Sequence, residues 1–322
     1  MGAKVLFSIV VPVKNGDLWL ERLLDGLMQQ TLFPQSEIIV IDSGSTDRSL
    51  EIIGRYPVKL IQIPAADFNH GLTRNLGVRE ADGEYVIMTV QDAVPAGNDW
   101  LELLLGGFTG DCVAGVCGQQ VVPHEKDKNP ALWFRPVSGH RTWFSHFDDP
   151  ADFLELSPTA QRETIAWDNV TAAYRRTILL ENPFPAVDFA EDLCWAKMIL
   201  LKGYTLGFVS GAIVYHYHHQ TSKFILPRYF SVFYYEFELF GLRPSLPHSV
   251  LRHVLTTGKI LLKESRLNWA EKVRWLLFNI RYWIVLKGTV NRFNRAAAKG
   301  KEALDLEYRE ICKRPPQAIK YK

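Results

Sequence analysis

The sequence predicts an α/β fold with a mostly parallel β-sheet flanked by helices, followed by a helical C-terminal region. Two observations support this prediction. Short apolar runs recur along the first 90 residues, and each ends abruptly in polar residues. Runs that are apolar at every position are typical of strands buried on both faces of a parallel sheet. The last hundred residues instead combine aromatic, aliphatic and basic side chains in longer stretches.

The first predicted strand covers residues 7–13 and ends at Lys14-Asn15-Gly16. A helix is expected within residues 17–30, because leucines recur there at helical spacing. These leucines are Leu20, Leu23, Leu24 and Leu27. The order strand, polar turn, helix is the basic βα unit of a parallel sheet.

The second predicted strand, residues 38–41, stops at Asp42. The turn at residues 43–46 is expected to N-cap the next helix, with Asp47 in the first helical turn. In open α/β sheets, ligands bind outside the carboxyl ends of the strands. Asp42 is therefore expected to accept hydrogen bonds from a base or ribose; the alternative is that it only caps the helix.

Further strands are predicted at residues 58–63, 85–90 and 112–122, and a last one is predicted to end in the histidine cluster of residues 216–219. Residues 123–165 lack a clean period and are interpreted as a long excursion over the site. An acceptor-binding lid and a packed structural insertion both fit this excursion.

Charge divides the chain near residue 222. Residues 223–322 contain 20 Lys and Arg against 8 Asp and Glu, a net charge of +12, whereas residues 1–222 have a net charge of −10. We therefore expect an acidic α/β domain over residues 1–222 and a basic, aromatic-rich helical region over residues 223–322. A basic region of this kind indicates a negatively charged partner.

A membrane surface is the favoured partner of the basic region. Residues 275–287 are its most apolar stretch, but they are too few to span a bilayer. Basic helices with Trp, Phe and Leu on one face can lie in the membrane interface. The alternative is ordinary helices packed on the N-terminal domain or on another subunit. Nucleic acid is not expected, because no recognised binding motif accompanies the charge. Residues 313–322 are predicted to be a disordered tail.

Cysteine usage predicts a reducing compartment. The four cysteines have no metal-ligand spacing and are too sparse for a disulfide scaffold. The chain enters its first strand within a few residues, so no signal peptide is expected. The expected location is cytoplasmic, with peripheral attachment to the inner face of the cytoplasmic membrane if the basic region meets lipid.

The order of these motifs resembles the nucleotide-sugar glycosyltransferases of family 2, which have the GT-A fold, over roughly residues 5–220. The resemblance implies inverting transfer of a sugar from a nucleotide diphosphate donor. It places the nucleotide at the ends of the first two strands. The donor-binding positions are then Pro12, Val13, Asn15 and Asp42, with the turn Ser43-Gly44.

The segment Gln91-Asp92-Ala93 follows the fourth strand, where the family has an Asp-x-Asp-type motif that contacts metal and diphosphate. It is similar to the version in the rhamnosyltransferase branch. The leaving diphosphate requires neutralisation by a divalent metal or by cationic side chains. Mg²⁺ or Mn²⁺ is expected, held in part by Asp92, because hard cations can bind through one carboxylate plus substrate phosphates. The alternative is that Asp92 is a turn residue before Pro95.

His216 is expected to replace the missing ligand, since similar family members bind metal or diphosphate through a histidine at the end of this strand. Period-two alternation would place His216 and His218 on one face. His218 is the second choice for this ligand and His219 the third.

The catalytic base is expected in residues 188–195, which resemble the family's Glu-Asp motif. By this resemblance Asp192 deprotonates the acceptor hydroxyl, and Glu191 orients Asp192 or the acceptor. The segment opens a helix, and acidic residues favour helix N-termini in any case. That purely structural role is the alternative.

Supporting contacts are expected from three further segments. Arg74 and Asn75 are predicted to start a turn from which an arginine reaches nucleotide or phosphate oxygens. The resemblance places Asn169 near the sugar or acceptor.

Arg175 and Arg176 lie near the donor sugar by the same resemblance, or else serve as structural ion-pair partners. Trp167 is expected either to stack on a sugar ring or to lie in the core.

The predicted function is transfer of L-rhamnose from dTDP-L-rhamnose to a saccharide or lipid-linked acceptor in bacterial surface polysaccharide synthesis. A UDP- or GDP-sugar donor is the alternative. A nucleotidyltransferase is disfavoured, because such enzymes open with a glycine-rich phosphate loop and Lys14-Asn15-Gly16-Asp17 has one glycine. A non-catalytic binding protein of the same fold stays open, because Asp92 is the only carboxylate of its motif.

Overall fold

The computed structural model describes residues 5–133, 141–187, 189–218, 222–246 and 248–313. The chain forms two compact units. The described part of unit 1 lies within Met1–Val121 and Val137–His216, and that of unit 2 lies within Val122–Pro136 and Tyr217–Gln317.

Unit 1 is built on a mixed sheet of nine strands among the described residues. The strands are β1 Phe7–Val13, β2 Ser36–Asp42, β3 Lys59–Gln62, β4 Tyr85–Thr89, β5 Ala93–Pro95, β6 Val113–Val121, β7 Thr142–Ser145, β8 Thr171–Arg175 and β9 Thr205–His216. Their spatial order is β3-β2-β1-β4-β8-β6-β9-β5, with β7 also paired to β9. The predicted α/β class and the strands expected before residue 123 are confirmed.

Strand direction is uniform in the first half of the sheet and mixed in the second. β1 is parallel to both β2 and β4, and β2 is parallel to β3. β8 runs antiparallel to β4 and β6, whereas β9 is parallel to β6. β5 and β7 are each antiparallel to β9. β1, β2, β4, β6 and β9 therefore all point the same way, and their carboxyl ends form one edge.

The helices are α1 Leu20–Met28, α2 Ser49–Ile53, α3 His70–Arg79, α4 Trp100–Leu105, α5 Pro130–Trp133, α6 Pro150–Glu155, α7 Pro158–Thr164, α8 Arg176–Glu181 and α9 Glu191–Leu201. All except α5 belong to unit 1. Short 3₁₀ turns lie at Phe33–Gln35 and Ala65–Asp67. The four leucines of α1 are fully buried in the core with β1 and β2.

A glycine allows α3 to pack closely on the sheet. A Cβ at Gly77 would lie 2.4 Å from Cγ1 of Val10, nearer than any real Cβ contact. The absence of a side chain at Gly77 therefore sets the approach of α3 to β1.

The helix cap predicted after β2 is wrong. α2 begins at Ser49, so Asp47 precedes the helix rather than lying in its first turn. The backbone amides of the turn are taken by other side chains: Asp42 accepts from residues 44 and 45, and Asn15 accepts from residue 46. Burial opposes ionisation of Asp47, but hydrogen bonds led by that from Ser49 outweigh it and lower the pKa of Asp47.

The excursion at residues 123–165 has more regular structure than its pattern suggested. Its first part belongs to unit 2 and contains α5, whereas β7, α6 and α7 belong to unit 1. Phe153 of α6 is fully buried, so this part packs into the fold. An additional role as an acceptor lid stays a prediction.

Unit 2 is helical, as predicted for the C-terminal region. Besides α5 it contains α10 Ser222–Phe240, α11 Val250–Lys263, α12 Trp269–Ala298 and α13 Lys301–Cys312. One of its cores joins Trp133, Leu261, Leu267 and Trp275. Within the described residues, no helix has both the length and the apolar character needed to cross a bilayer. Most of the predicted disordered tail, residues 314–322, lies outside the described residues.

Candidate active site

Predicted site residues gather at the shared carboxyl edge of the sheet. Asp42 is the last residue of β2, Asp92 follows β4, and His216 is the last residue of β9. β8 runs in the opposite direction, so its first residues, and Asn169 just before them, reach the same edge. Asn169 in turn contacts Asp192 of α9.

Asp42 is fully buried and only half satisfied. Its Oδ2 accepts hydrogen bonds from the backbone N–H groups of Gly44 (3.0 Å) and Ser45 (3.1 Å). Its Oδ1 is buried without a hydrogen-bond partner among the described residues. A buried carboxylate oxygen without a donor is energetically costly, so Asp42 is an acceptor suited to a ligand's hydroxyl or N–H group. Asp42 does not cap α2, which begins at Ser49.

The end of β1 is joined to the turn after β2. Ser43 donates to the Val13 carbonyl through both its N–H and its hydroxyl. Asn15, exposed and with a left-handed φ of 49°, accepts from the Thr46 N–H. Gly44 also has a positive φ, of 80°, a conformation that glycine adopts without strain. The predicted donor positions Pro12, Val13, Asn15, Asp42, Ser43 and Gly44 thus lie on two adjoining strand ends.

Gln91 occupies the place of a motif carboxylate but has a different role. Its Oε1 accepts from the Lys14 N–H at 2.9 Å, and its Nε2 donates to the Lys14 carbonyl at 3.2 Å. This pair of hydrogen bonds ties the end of β4 to the end of β1. This role of Gln91 is not predictable from local sequence, because the pairing joins residues 77 positions apart.

Strand pairing brings Asp92 and His216 together. β5 runs antiparallel to β9 with Ala93 opposite His216, so the residue before Ala93 lies beside that histidine. The Asp92 Oδ1 is 3.4 Å from the His216 Nε2, and the His216 side chain is buried. This is the pairing that the sequence predicted for a metal or diphosphate site.

Gln120, near the end of β6, determines which nitrogen of His216 faces Asp92. Gln120 hydrogen-bonds the carboxylate of Asp168, so its NH₂ group is the donor there. Its Oε1 lies 2.7 Å from His216 Nδ1 and can only accept. Nδ1 of a neutral His216 therefore carries the proton, and Nε2 presents its lone pair to Asp92. Gln120 is absent from the residues predicted for the site, and its only signal in the sequence is a polar residue at the end of an apolar strand.

The donor set at this position suits a divalent cation. A lone pair on His216 Nε2 and a carboxylate oxygen of Asp92 face each other at 3.4 Å, an arrangement that a cation or proton between them would stabilise. The carboxylate of Asp92 suits both Mg²⁺ and Mn²⁺, whereas the imidazole of His216 favours the transition metal Mn²⁺ over the oxygen-preferring Mg²⁺. β9 ends at His216, two residues before His218, so the predicted alternation of the two histidines stays a prediction. His218 is assigned to unit 2, and His219 lies outside the described residues.

The predicted base segment opens α9 at Glu191. Ala190, immediately before it, has a left-handed conformation with φ 60°, which costs energy for a residue with a Cβ. Asp192 is half-buried; its Oδ2 accepts from the Asn169 N–H at 3.2 Å and its Oδ1 from the Leu193 N–H at 2.8 Å. Strain next to a partly accessible carboxylate is a pattern of functional sites.

Glu191 is held by a buried ion pair. The Arg74 Nη1 donates to Glu191 Oε1 at 2.7 Å, and both side chains are 6 % exposed. Asn169 Nδ2 donates to the same oxygen at 2.9 Å. Burial alone would raise the pKa of Glu191, but the positive charge of Arg74 and the hydrogen bond from Asn169 lower it.

The neighbouring carboxyl shifts in the opposite direction. Burial, followed by the negative charge of Glu191, raises the pKa of Asp192 to about 7. Adjacent carboxyls whose pKa values are pushed apart indicate different roles in acid–base chemistry. Glu191 is the permanently charged structural member, and Asp192 is the group able to exchange a proton near neutral pH.

Comparison with known proteins agrees with this geometry. The sequence profile described as Glycosyl transferase family 2 matches residues 8–153. The O-antigen chain rhamnosyltransferase RfbN of Salmonella typhimurium is 35% identical over 228 residues, which are 69% of this chain and 70% of the relative. The chain belongs to glycosyltransferase family 2.

Two further relatives support the family and the fold of this glycosyltransferase. The O-antigen chain rhamnosyltransferase WbaN of Salmonella anatum is 33% identical over 233 residues, 70% of each chain. A crystal structure of Staphylococcus aureus TarS, residues 1–349, in complex with UDP-GlcNAc superposes with a TM-score of 0.54 and 18% identity. The superposition covers 95% of this chain and 79% of that one, and the fold is GT-A, as predicted.

Arg74 and Asn75 support the active site of the glycosyltransferase from within a helix. Both lie in α3 and are buried, so the turn predicted for them is wrong. The Arg74 guanidinium is taken up by Glu191 rather than presented to a phosphate. Asn75 exchanges two hydrogen bonds with the backbone of Phe184, ahead of α9. The two residues position the segment that carries Glu191 and Asp192.

The two other arginines have the structural role that was the alternative. In the pairing of β8 with β4, Arg175 lies opposite Tyr85, the first residue of β4. Arg175 is therefore at the edge of the sheet away from Asp92. There Arg175 donates to the Gly110 carbonyl, and Arg176 donates to the Val78 carbonyl.

Trp167 likewise belongs to the core rather than to a sugar-stacking surface. Its indole is buried, packs against Trp195, and donates its N–H to the Tyr174 hydroxyl at 2.8 Å. That hydroxyl donates to Asn169 Oδ1, so Trp167 supports the site indirectly.

Replacing Gln120 should test its control of His216. Gln120→Leu removes the acceptor for Nδ1–H, so we expect Mn²⁺ affinity to fall about tenfold or more. Gln120→Glu keeps an acceptor for Nδ1–H but loses the N–H donated to Asp168, and its added negative charge should make Mn²⁺ bind at least as tightly as in the wild type. Free Mn²⁺ measured by electron paramagnetic resonance during a titration gives the affinities. Equal affinity of the Leu variant would show that Gln120 does not orient the ligand.

Proposed function

We propose that this glycosyltransferase catalyses single-step, inverting sugar transfer with Asp192 as the general base. The observation that carries the proposal is the pair Glu191–Asp192: one carboxylate is fixed by Arg74, and the other has a pKa of about 7. We assign catalysis to residues 1–222, and residues 223–322 form the basic helical region.

In the proposed step, the Asp192 carboxylate takes the proton of an acceptor hydroxyl as its oxygen attacks the anomeric carbon. The bond from that carbon to the diphosphate oxygen breaks, and its electron pair leaves with the nucleoside diphosphate. The contact from the Asn169 N–H holds one carboxylate oxygen, and the Leu193 N–H holds the other. A base with a pKa near the working pH combines useful ionisation with useful basicity.

Asp92 and His216 are proposed to hold Mg²⁺ or Mn²⁺, with His218, two residues along the chain, as a further candidate ligand. A bound cation would neutralise charge on the leaving diphosphate. Asp42 is proposed to accept a hydrogen bond from the nucleoside, because its buried Oδ1 has no donor among the described residues. Pro12, Val13 and Asn15 would border the same nucleoside.

The preferred donor is dTDP-L-rhamnose, and the preferred process is bacterial surface polysaccharide synthesis. The names of the two Salmonella relatives, both O-antigen chain rhamnosyltransferases, support this choice. The acceptor would be a saccharide or a lipid-linked saccharide, and the latter would bring the enzyme to the inner face of the cytoplasmic membrane. A UDP- or GDP-sugar is the alternative donor; TarS was crystallised with UDP-GlcNAc.

The donor can be identified by thermal shift. A ligand that binds only the folded state raises the melting temperature by mass action. We expect dTDP and dTDP-rhamnose, with Mn²⁺ present, to raise it by several degrees and UDP or GDP to have less effect. A UDP- or GDP-selective shift would reject rhamnose but keep the transferase. Stabilisation by no nucleotide would favour a non-catalytic protein of this fold.

Removal of the base should separate chemistry from binding. Asp192→Asn cannot accept the proton, so we expect kcat to fall at least 100-fold while the dissociation constant of the donor stays within about threefold. Asp152→Asn, an exposed acidic residue in the first turn of α6, is the matched control and should retain full activity. Undiminished turnover by Asp192→Asn would overturn the base assignment.

The pH profile should report Asp192. Its raised pKa means that the protonated, inactive form predominates below about pH 7, so kcat/KM should fall on the acid side of this value. Glu191→Gln removes the adjacent negative charge and keeps a hydrogen-bond acceptor for Arg74. The acid limb should then move to lower pH. An unmoved limb would mean that another group governs it.

A further inference from the structure

α11 carries an exposed apolar stripe. Leu251, Leu255 and Leu262 are 68%, 58% and 63% exposed, and they lie within about 40° of one another at 100° per residue. The buried face of the same helix, with Thr257 and Leu261, lies roughly 120° away. The stripe is therefore separate from the face that packs into unit 2.

α12 carries a matching stripe along its first half. Its members are Trp269, Val273, Leu277 and Ile284, which are between 51% and 71% exposed. They lie within about 80° of one another, and the buried face of this half of α12 is again roughly 120° away, in the same rotational sense. Both helices thus present apolar stripes to solvent rather than to their own unit.

The two stripes form one surface because the helices are antiparallel. His253, early in α11, stacks on Trp283 with ring centroids 4.2 Å apart, whereas Leu261, late in α11, shares a core with Trp275. In an antiparallel pair, equal offsets in the same rotational sense bring both stripes to the same side. We name this surface of seven residues the α11–α12 face.

Exposed cations border the α11–α12 face. They are Arg252, Lys259 and Lys263 on α11 and Arg274, Arg281 and Lys287 on α12. α11 contains no acidic residue, and Glu271 is the only one in the first twenty residues of α12. A contiguous exposed apolar surface edged by one sign of charge marks an interaction site.

We infer that the α11–α12 face binds the surface of an anionic membrane, with its leucines and Trp269 inserted at the headgroup boundary and its cations on lipid phosphates. Helices of this composition lie in the interface plane rather than across the bilayer. Charge favours lipid over a second copy of the chain. In a two-fold symmetric dimer the same surface faces itself, which would bring the two sets of cations together.

The inference rests on the proposed function only in so far as the acceptor is lipid-linked. Vesicle binding is measured without donor or acceptor, so its failure would leave the transferase assignment intact. Conversely, loss of catalysis in Asp192→Asn would not alter vesicle binding.

The test is co-sedimentation of the full chain with vesicles of phosphatidylcholine alone or mixed with phosphatidylglycerol. The wild type should bind the mixed vesicles at least tenfold more tightly, and salt should weaken this binding. Leu255→Ser/Leu277→Ser should reduce it at least tenfold. The matched control, Leu154→Ser/Leu306→Ser, changes two leucines that are equally exposed but outside the face, and should bind normally.

A second variant, Lys259→Ser/Lys263→Ser/Arg281→Ser, leaves the apolar residues in place and should lose the preference for phosphatidylglycerol. Wild-type binding to mixed vesicles no tighter than to phosphatidylcholine alone would overturn the inference. So would a lipid-free dimer, measured by light scattering, that Leu255→Ser/Leu277→Ser dissociates, because the face would then serve a second copy.

Discussion

The buried ion pair between Arg74 and Glu191 is the interaction on which the active-site geometry depends. Both charges are removed from water, so each needs the other: losing one partner of such a pair typically costs about 3–5 kcal/mol. The pair fixes the first turn of α9 against α3, and Asn169 extends it to the start of β8. This arrangement also positions Asp192. Burial and the negative charge of Glu191 raise the pKa of Asp192.

Strand order supplies the second half of the site. β9 pairs antiparallel with β5, which places His216 beside Asp92. His216 thus adds an imidazole to a motif that has only one carboxylate. The two glutamines of this edge work differently from metal ligands. Gln91 joins the ends of β1 and β4, and Gln120 holds the ring of His216 in one tautomer. Such amides cost no charge burial and fix the geometry of their neighbours.

The two units divide the physical tasks of the chain. Unit 1 concentrates carboxylates at one sheet edge, where their mutual repulsion must be balanced by Arg74 and by backbone N–H groups. Unit 2 buries aromatic rings among its helices and leaves leucines and cations on the α11–α12 face. The opposite net charges of residues 1–222 and 223–322 reflect this division in the composition of the chain.

Local pattern determined the strands, the βα order, the helical C-terminal region and the residues that end strands or open helices: Asp42, Asp92, His216 and Asp192. Burial of a strand is written in its own residues, and a strand end is a position along the chain. Pairing between distant segments cannot be predicted from a local pattern. Only the tertiary structure therefore decided that Arg74 neutralises Glu191, that Gln120 orients His216, and that Arg175 lies at the opposite edge. A polar side chain can bind a ligand or stabilise the fold, depending on which residue strand order places next to it. The spacing of residues in the sequence does not reveal that neighbour.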